Sequence, residues 1–148
     1  MLKTLLATTL ILIAGNAYSI SAEEVKGITI GETDARIEAL AKAMLSADDQ
    51  TAAFLQALAD DAVKVAGDKV LVLRDDKAFD AVTGTEQVLP EDAEDVINNN
   101  RMRGEIDSAL AALKLFSTDD TVRAAAVRQL QSDADETKLP LIEKALAI

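Results

Sequence analysis

The densest set of polar and basic side chains in this sequence is Asn98-Asn99-Asn100-Arg101-Met102-Arg103. Asparagine amides both donate and accept, and an arginine presents a planar fork of N–H donors that matches a carboxylate. A cluster of Asn98, Asn99, Asn100, Arg101 and Arg103 suits one of two tasks. It can dock an acidic partner, or it can neutralise Glu91, Asp92, Glu94 and Asp95, which precede it. Internal neutralisation is the favoured reading.

The remaining chemistry-bearing residues converge on nothing. The chain has no histidine and no cysteine. This removes Ser-His-Asp and Cys-His triads, histidine acid–base catalysis and the usual zinc sites. Adjacent carboxylates are plentiful: Asp48-Asp49, Asp60-Asp61, Asp75-Asp76 and Asp119-Asp120. Neighbours on a helix point ~100° apart, so these pairs read as caps and turns rather than acid/base dyads. Asp133-Ala134-Asp135-Glu136 partly matches a calcium loop, but Lys138 stands where the loop needs glycine and the terminal Glu is missing. Gly84 and Gly104 are isolated and form no phosphate loop. No catalytic, cofactor-binding or metal-binding set is expected, and an enzyme is disfavoured.

Composition narrows the partners. The formal net charge of −11 repels nucleic acid and anionic lipid. An acidic surface could favour a basic partner, although solubility alone accounts for it. At 49% hydrophobic and 28% charged, the 148 residues fit one modest globular domain.

The elements that must position these residues follow in order. Residues 1–22 have the parts of a signal peptide: Lys3, an uncharged apolar run from Leu5 to Ala14, and small residues before a cut. Ala17-Tyr18-Ser19 and Ile20-Ser21-Ala22 both qualify, and the boundary is placed before Glu23. The rest is expected on the periplasmic side of the bacterial inner membrane. No other apolar run approaches the ~20 residues of a span. Residues 23–33 read as a linker, with Val25, Ile28 and Ile30 partly extended.

Residues 34–62 read as a helical hairpin. Asp34 caps one helix, carrying Ile37, Leu40, Ala41, Met44 and Leu45. Asp48 or Asp49 starts a second, carrying Phe54, Leu55, Leu58 and Ala62. The short turn predicts that the two pack antiparallel. Residues 63–89 read as a small antiparallel ribbon: Val63-Lys64-Val65, Val70 to Leu73 and Phe79 to Val82, separated by Gly67-Asp68 and Asp75-Asp76-Lys77. Two or three strands are marginal alone, so Val70, Val72 and Phe79 should rest on the helices. Residues 90–148 read as a helical unit truncated at its C-terminal end. Pro90 and the acids after it are placed near a helix N-terminus, interrupted at Asn98-Asn99-Asn100. Ile106, Leu110, Leu113 and Phe116 follow on one helix, Val122, Ala126 and Leu130 on the next, and Leu139, Ile142 and Leu146 on the last.

Laid over the last two helices without a gap, the first pair matches in type. Arg36 falls on Arg123, Ala39 on Ala126, Leu40 on Val127, Asp48 on Asp135 and Leu55 on Ile142. That pattern marks a helical repeat. The expected fold class is mainly α: HEAT-like helical hairpins with a small inserted antiparallel β ribbon.

Two stretches carry a family resemblance. One is Phe54-Leu55-Gln56-Ala57-Leu58 with the ribbon and Phe79-Asp80-Ala81-Val82-Thr83-Gly84. The other runs from Asp95 through the asparagine–arginine cluster to Leu110-Ala111-Ala112-Leu113-Lys114-Leu115-Phe116-Ser117 and Val122-Arg123-Ala124-Ala125-Ala126. In that order they resemble the extracytoplasmic N-terminal region of UrtB-type urea ABC transporter permeases, of the branched-chain amino-acid permease family. The likeness covers nearly all of Asp34 to Ala147. It implies a HEAT-like region outside the membrane, followed by the helix bundle that forms the pathway. It also implies as partners the rest of the permease and a periplasmic substrate-binding protein, with the ATPase on a separate subunit. The membrane bundle is absent from this sequence, so no urea-conducting residue can be carried over, and the chain is read as a fragment. The competing reading is a free-standing periplasmic HEAT-like protein-binding module.

Overall fold

Ser21 starts the first element of the computed structural model, which describes residues 20–117 and 119–132. The Ser21 hydroxyl accepts from the Glu24 N–H at 3.2 Å, and the Glu24 carboxylate accepts from the Ser21 N–H at 2.8 Å. This reciprocal capping box opens α1 (Ala22–Thr29). The stretch expected to be a partly extended linker is therefore largely helix, with Val25, Ile28 and Thr29 buried. A side chain on Gly27 would come within 2.9 Å of the Ala39 Cβ, so this glycine lets α1 lie close against α2 (Thr33–Ala43).

The Glu24 carboxylate accepts from the Ser21 N–H and, at 2.7 Å, from the Ser21 hydroxyl, and these two bonds hold it below its ordinary pKa. A depressed carboxylate pKa gives stability that is complete above the unfolded value and lost as pH falls through the folded one. Ser21→Ala should therefore cost ~0.5–2 kcal/mol at neutral pH. The cost should shrink on acidification through the carboxylate range, as followed by denaturant unfolding at each pH. A pH-independent loss would contradict the capping role.

Asp48 caps α3 (Asp49–Ala59), accepting from the N–H groups of Gln50 and Thr51 at 2.9 and 3.1 Å. The helices α2 and α3 do not pack as the expected hairpin. Instead α2 lies against α1 and α4 (Asn100–Lys114), and α3 lies against α4 and the sheet. Both helices pack on α4 instead of on each other, and Met102, Ile106 and Ala109 of α4 are buried.

Two strands form where alternation and turn residues predict them, β1 (Val63–Ala66) and β2 (Lys69–Arg74), while β3 (Lys77–Asp80) starts two residues before the expected Phe79 to Val82 and takes in Lys77, which reads as turn. Between β2 and β3, Asp75 and Asp76 take φ of 50° and 60°, the left-handed pair that a two-residue type I′ turn requires. The sheet does not stop there. Glu86–Gln87 add β4 beside β3, and Glu94–Asp95 add β5 beside β1, giving the antiparallel order β4-β3-β2-β1-β5. The segment after Pro90 is therefore an edge strand, not the start of a helix. The Lys64 ammonium lies 2.7 Å from the Asp95 carboxylate on the paired strands, and the Val96 N–H donates to the Val63 carbonyl at 3.0 Å.

Among the described residues, five helices and a five-stranded antiparallel sheet make an α+β fold. This corrects the mainly α expectation with its small ribbon. One core joins the layers: Ile28, Leu40, Phe54, Leu55, Leu58, Val63, Val70, Val72 and Ile106 are buried together. Phe79 is only half-buried, and the Arg74 guanidinium lies over its ring at 4.8 Å. In α5 (Asp120–Ser132), Ala126 is buried, but Val127, matched in sequence to the buried Leu40, is exposed. The burial pattern therefore does not repeat with the sequence. The helix expected over 135–148 lies outside the described residues. No described helix is long and apolar enough to cross a membrane.

Candidate functional site

The asparagine–arginine run sits where the strand-bearing segment turns into α4. Asn99 is the N-cap, and its side-chain oxygen accepts from the Met102 N–H at 2.9 Å. The three asparagines thus begin a helix rather than interrupt one. The Asn99 amide also donates to the Thr33 hydroxyl at 2.7 Å, which ties this cap to the start of α2.

Asn98 is buried and faces Arg36, a residue that sequence reading treats only as a repeat position. Arg36 is 5% exposed. Its Nε donates to the Ile28 carbonyl at 2.7 Å, its Nη1 to the Ile97 carbonyl at 3.0 Å and its Nη2 to the Asn98 Oδ1 at 2.5 Å. The Asn98 Nδ2 donates in turn to the Leu58 carbonyl at 3.2 Å. A guanidinium only donates and a carbonyl only accepts, so these partners fix which way the amide points. One arginine therefore ties the C-terminal end of α1, the approach to α4 and, through Asn98, the last turn of α3. Its three acceptors are neutral oxygens, and none of the ion pairs among the described residues involves it. Burial lowers the Arg36 pKa from its ordinary value. An arginine nonetheless keeps its charge through the physiological range.

Arg103 extends the same joint. Its Nη2 meets both carboxylate oxygens of Asp61, at 2.8 and 3.0 Å, and its Nε donates to the Asn98 carbonyl at 3.1 Å. Asp61 has φ of 54°, which aspartate tolerates better than most residues. Arg101 pairs with Asp34 at the start of α2. The two arginines are thus neutralised within the chain, but by Asp34 and Asp61 rather than by Glu91, Asp92, Glu94 and Asp95. Asn100 begins α4 and is exposed.

The cluster therefore resolves into two layers. Asn98 and Arg36 form a buried structural clasp, while the Arg101–Asp34 pair is solvated, with 64% and 82% side-chain exposure. A pair so exposed contributes ~0–1 kcal/mol. Asp34→Ala should move the thermal midpoint little, and a change equal to that of a buried substitution would place this pair in the core network. Sequence reasoning missed Arg36 and Asp61 because their partners lie far along the chain. The available signal was an arginine flanked by core-type residues on an otherwise amphipathic helix.

Two open grooves lie apart from the clasp residues. One of about 480 Å³ is lined by Met44, Ala47, Leu110, Leu113, Phe116 and Val122, together with polar residues of the α2–α3 loop. The other, about 460 Å³, lies between α3 and the sheet, with Phe54, Ala57, Val72, Asp60, Arg74 and Asp80 among its walls. No group of three or more acidic residues suited to hold a metal ion occurs among the described residues. The arrangement holds elements together and offers apolar surface. No family model matches the chain, and no curated protein or solved structure matches it either.

Proposed function

We propose that this chain is the extracytoplasmic N-terminal region of a urea-type ABC transporter permease, and that it acts as an interaction domain rather than a catalyst. The observation that supports this reading is the place of the asparagine–arginine run. The residues that carry the resemblance, Asn98 and Arg103 above all, are those that join α1, α3 and α4 around Arg36. A sequence pattern imposed by such a joint is a stronger mark of kinship than alanine-rich helices, which many unrelated chains share. The proposal does not depend on a HEAT-like repeat. Its partners would be the remaining permease, a periplasmic substrate-binding protein, or both, met through surface rather than through a ligand pocket.

The domain alone should give no saturable heat with urea at low millimolar concentration in calorimetric titration. In the source organism, in-frame removal of the codons for residues 20–148 should reduce uptake of labelled urea at limiting supply. Unchanged uptake would overturn the proposal, as would one-site urea binding by the isolated domain.

A further inference from the structure

The sequence offers two cuts for a signal peptidase, and the fold distinguishes them. Cleavage after Ala22 would remove Ile20 and Ser21. Ile20 is 2% exposed and belongs to the common core, with Val25, Ile28 and Leu40. Ser21 closes the capping box of α1 through both its hydroxyl and its N–H. Its carbonyl also accepts from the Val25 N–H at 3.0 Å, the first turn of the helix. A chain beginning at Glu23 would start one residue inside α1, with no side chain to satisfy the first N–H groups and a void where Ile20 sits.

We infer that the processing site is the Ser19–Ile20 bond, an inference that rests on the export assumed in the proposed function. Ala17 and Ser19 supply the small residues that a membrane signal peptidase selects at the third and first positions before its cut. Hydrolysis adds water across that amide: Ser19 leaves with a carboxylate, and Ile20 begins the mature chain with an ammonium group. Everything that the core and the α1 cap require then stays with the mature chain. Ala22, by contrast, is exposed, so its small size is not demanded by packing.

The test is intact-mass and N-terminal sequencing of the full-length gene product recovered from the periplasm or released from the membrane. A start at Ile20 is expected. Ser19→Phe should abolish that start, whereas Ala22→Phe should leave it unchanged, since the bulky residue then lies beyond the cut on an exposed helix position. A start at Glu23, or at any residue other than Ile20, overturns the assignment while leaving export standing. Retention of Met1 overturns cleavage, and this inference with it.

Discussion

Replacing Arg36 by alanine should be among the most damaging single changes in this chain, costing about 2–5 kcal/mol of unfolding free energy. The Ile28 carbonyl and the Asn98 amide oxygen are both buried where Arg36 meets them. Each buried acceptor left without a donor costs ~1–3 kcal/mol, and the vacated stem adds a void. The Ile97 carbonyl adds less, because that bond is only partly buried. A loss of this size is a large share of the ~5–15 kcal/mol that holds a typical domain. Arg36→Lys should restore little of it. A lysine ammonium is a compact point donor, and it cannot reproduce the flat span between α1 and the loop before α4. Urea unfolding of the mature chain measures both. A double-mutant cycle with Asn98→Ala should return a coupling of ~0.5–3 kcal/mol, as residues sharing one network do. Additive single and double changes would mean that the clasp is not a unit.

Leu55→Ala is the second large effect, at ~2–5 kcal/mol. Leu55 is fully buried on α3 within the core that unites helices and sheet. Truncation removes apolar contacts on every side, and helix and sheet cannot both move in to fill the space. Val88→Ala provides the contrast. Val88 is 90% exposed, so its loss should fall within about 0.5 kcal/mol of zero. Thermal unfolding of the two variants beside the parent would decide. Similar shifts for both would refute the burial order described above.

These two sites also separate what is legible in the sequence from what is not. Leu55 belongs to a helix whose cap, Asp48, and apolar spacing are local signals, and both appear in the fold as read. The same holds for β1 and β2, where β-branched residues recur and Gly67 and Asp75-Asp76 supply the turns, whereas β3 lies two residues earlier than the alternation places it. Arg36 belongs to the other kind. Its role depends on Asn98, and nothing within a helical turn of Arg36 announces that partner. The edge strands β4 and β5 are two residues each and rich in acids, so their own propensity argues against strand. Pairing with Phe79, Lys64 and Val65 overrides that preference. The first helix was hidden differently. Ser21 and Glu24 spell a capping box, but Ser21 falls inside the stretch that reads as leader, and the spacing of Val25, Ile28 and Ile30 reads as extended. The gapless match between the two helix pairs points to repeated helical hairpins, while the exposure of Val127 and the separation of α2 from α3 belong to a different packing.

The arginine joint has a further consequence for the order in which the chain acquires structure. Arg36 reaches partners 61 and 62 residues onward, Thr33 is met by Asn99 from 66 residues away, and Asp34 by Arg101 from 67. Contacts this distant become available only after the long intervening loop has been closed. On a ribosome adding ~5–20 residues per second, the segment containing Ile28, Leu40 and Met44 waits several seconds for the other half of its joint. During that interval its apolar faces have no partner from α4. A chain in this state keeps those faces uncovered until α4 and Arg103 have followed.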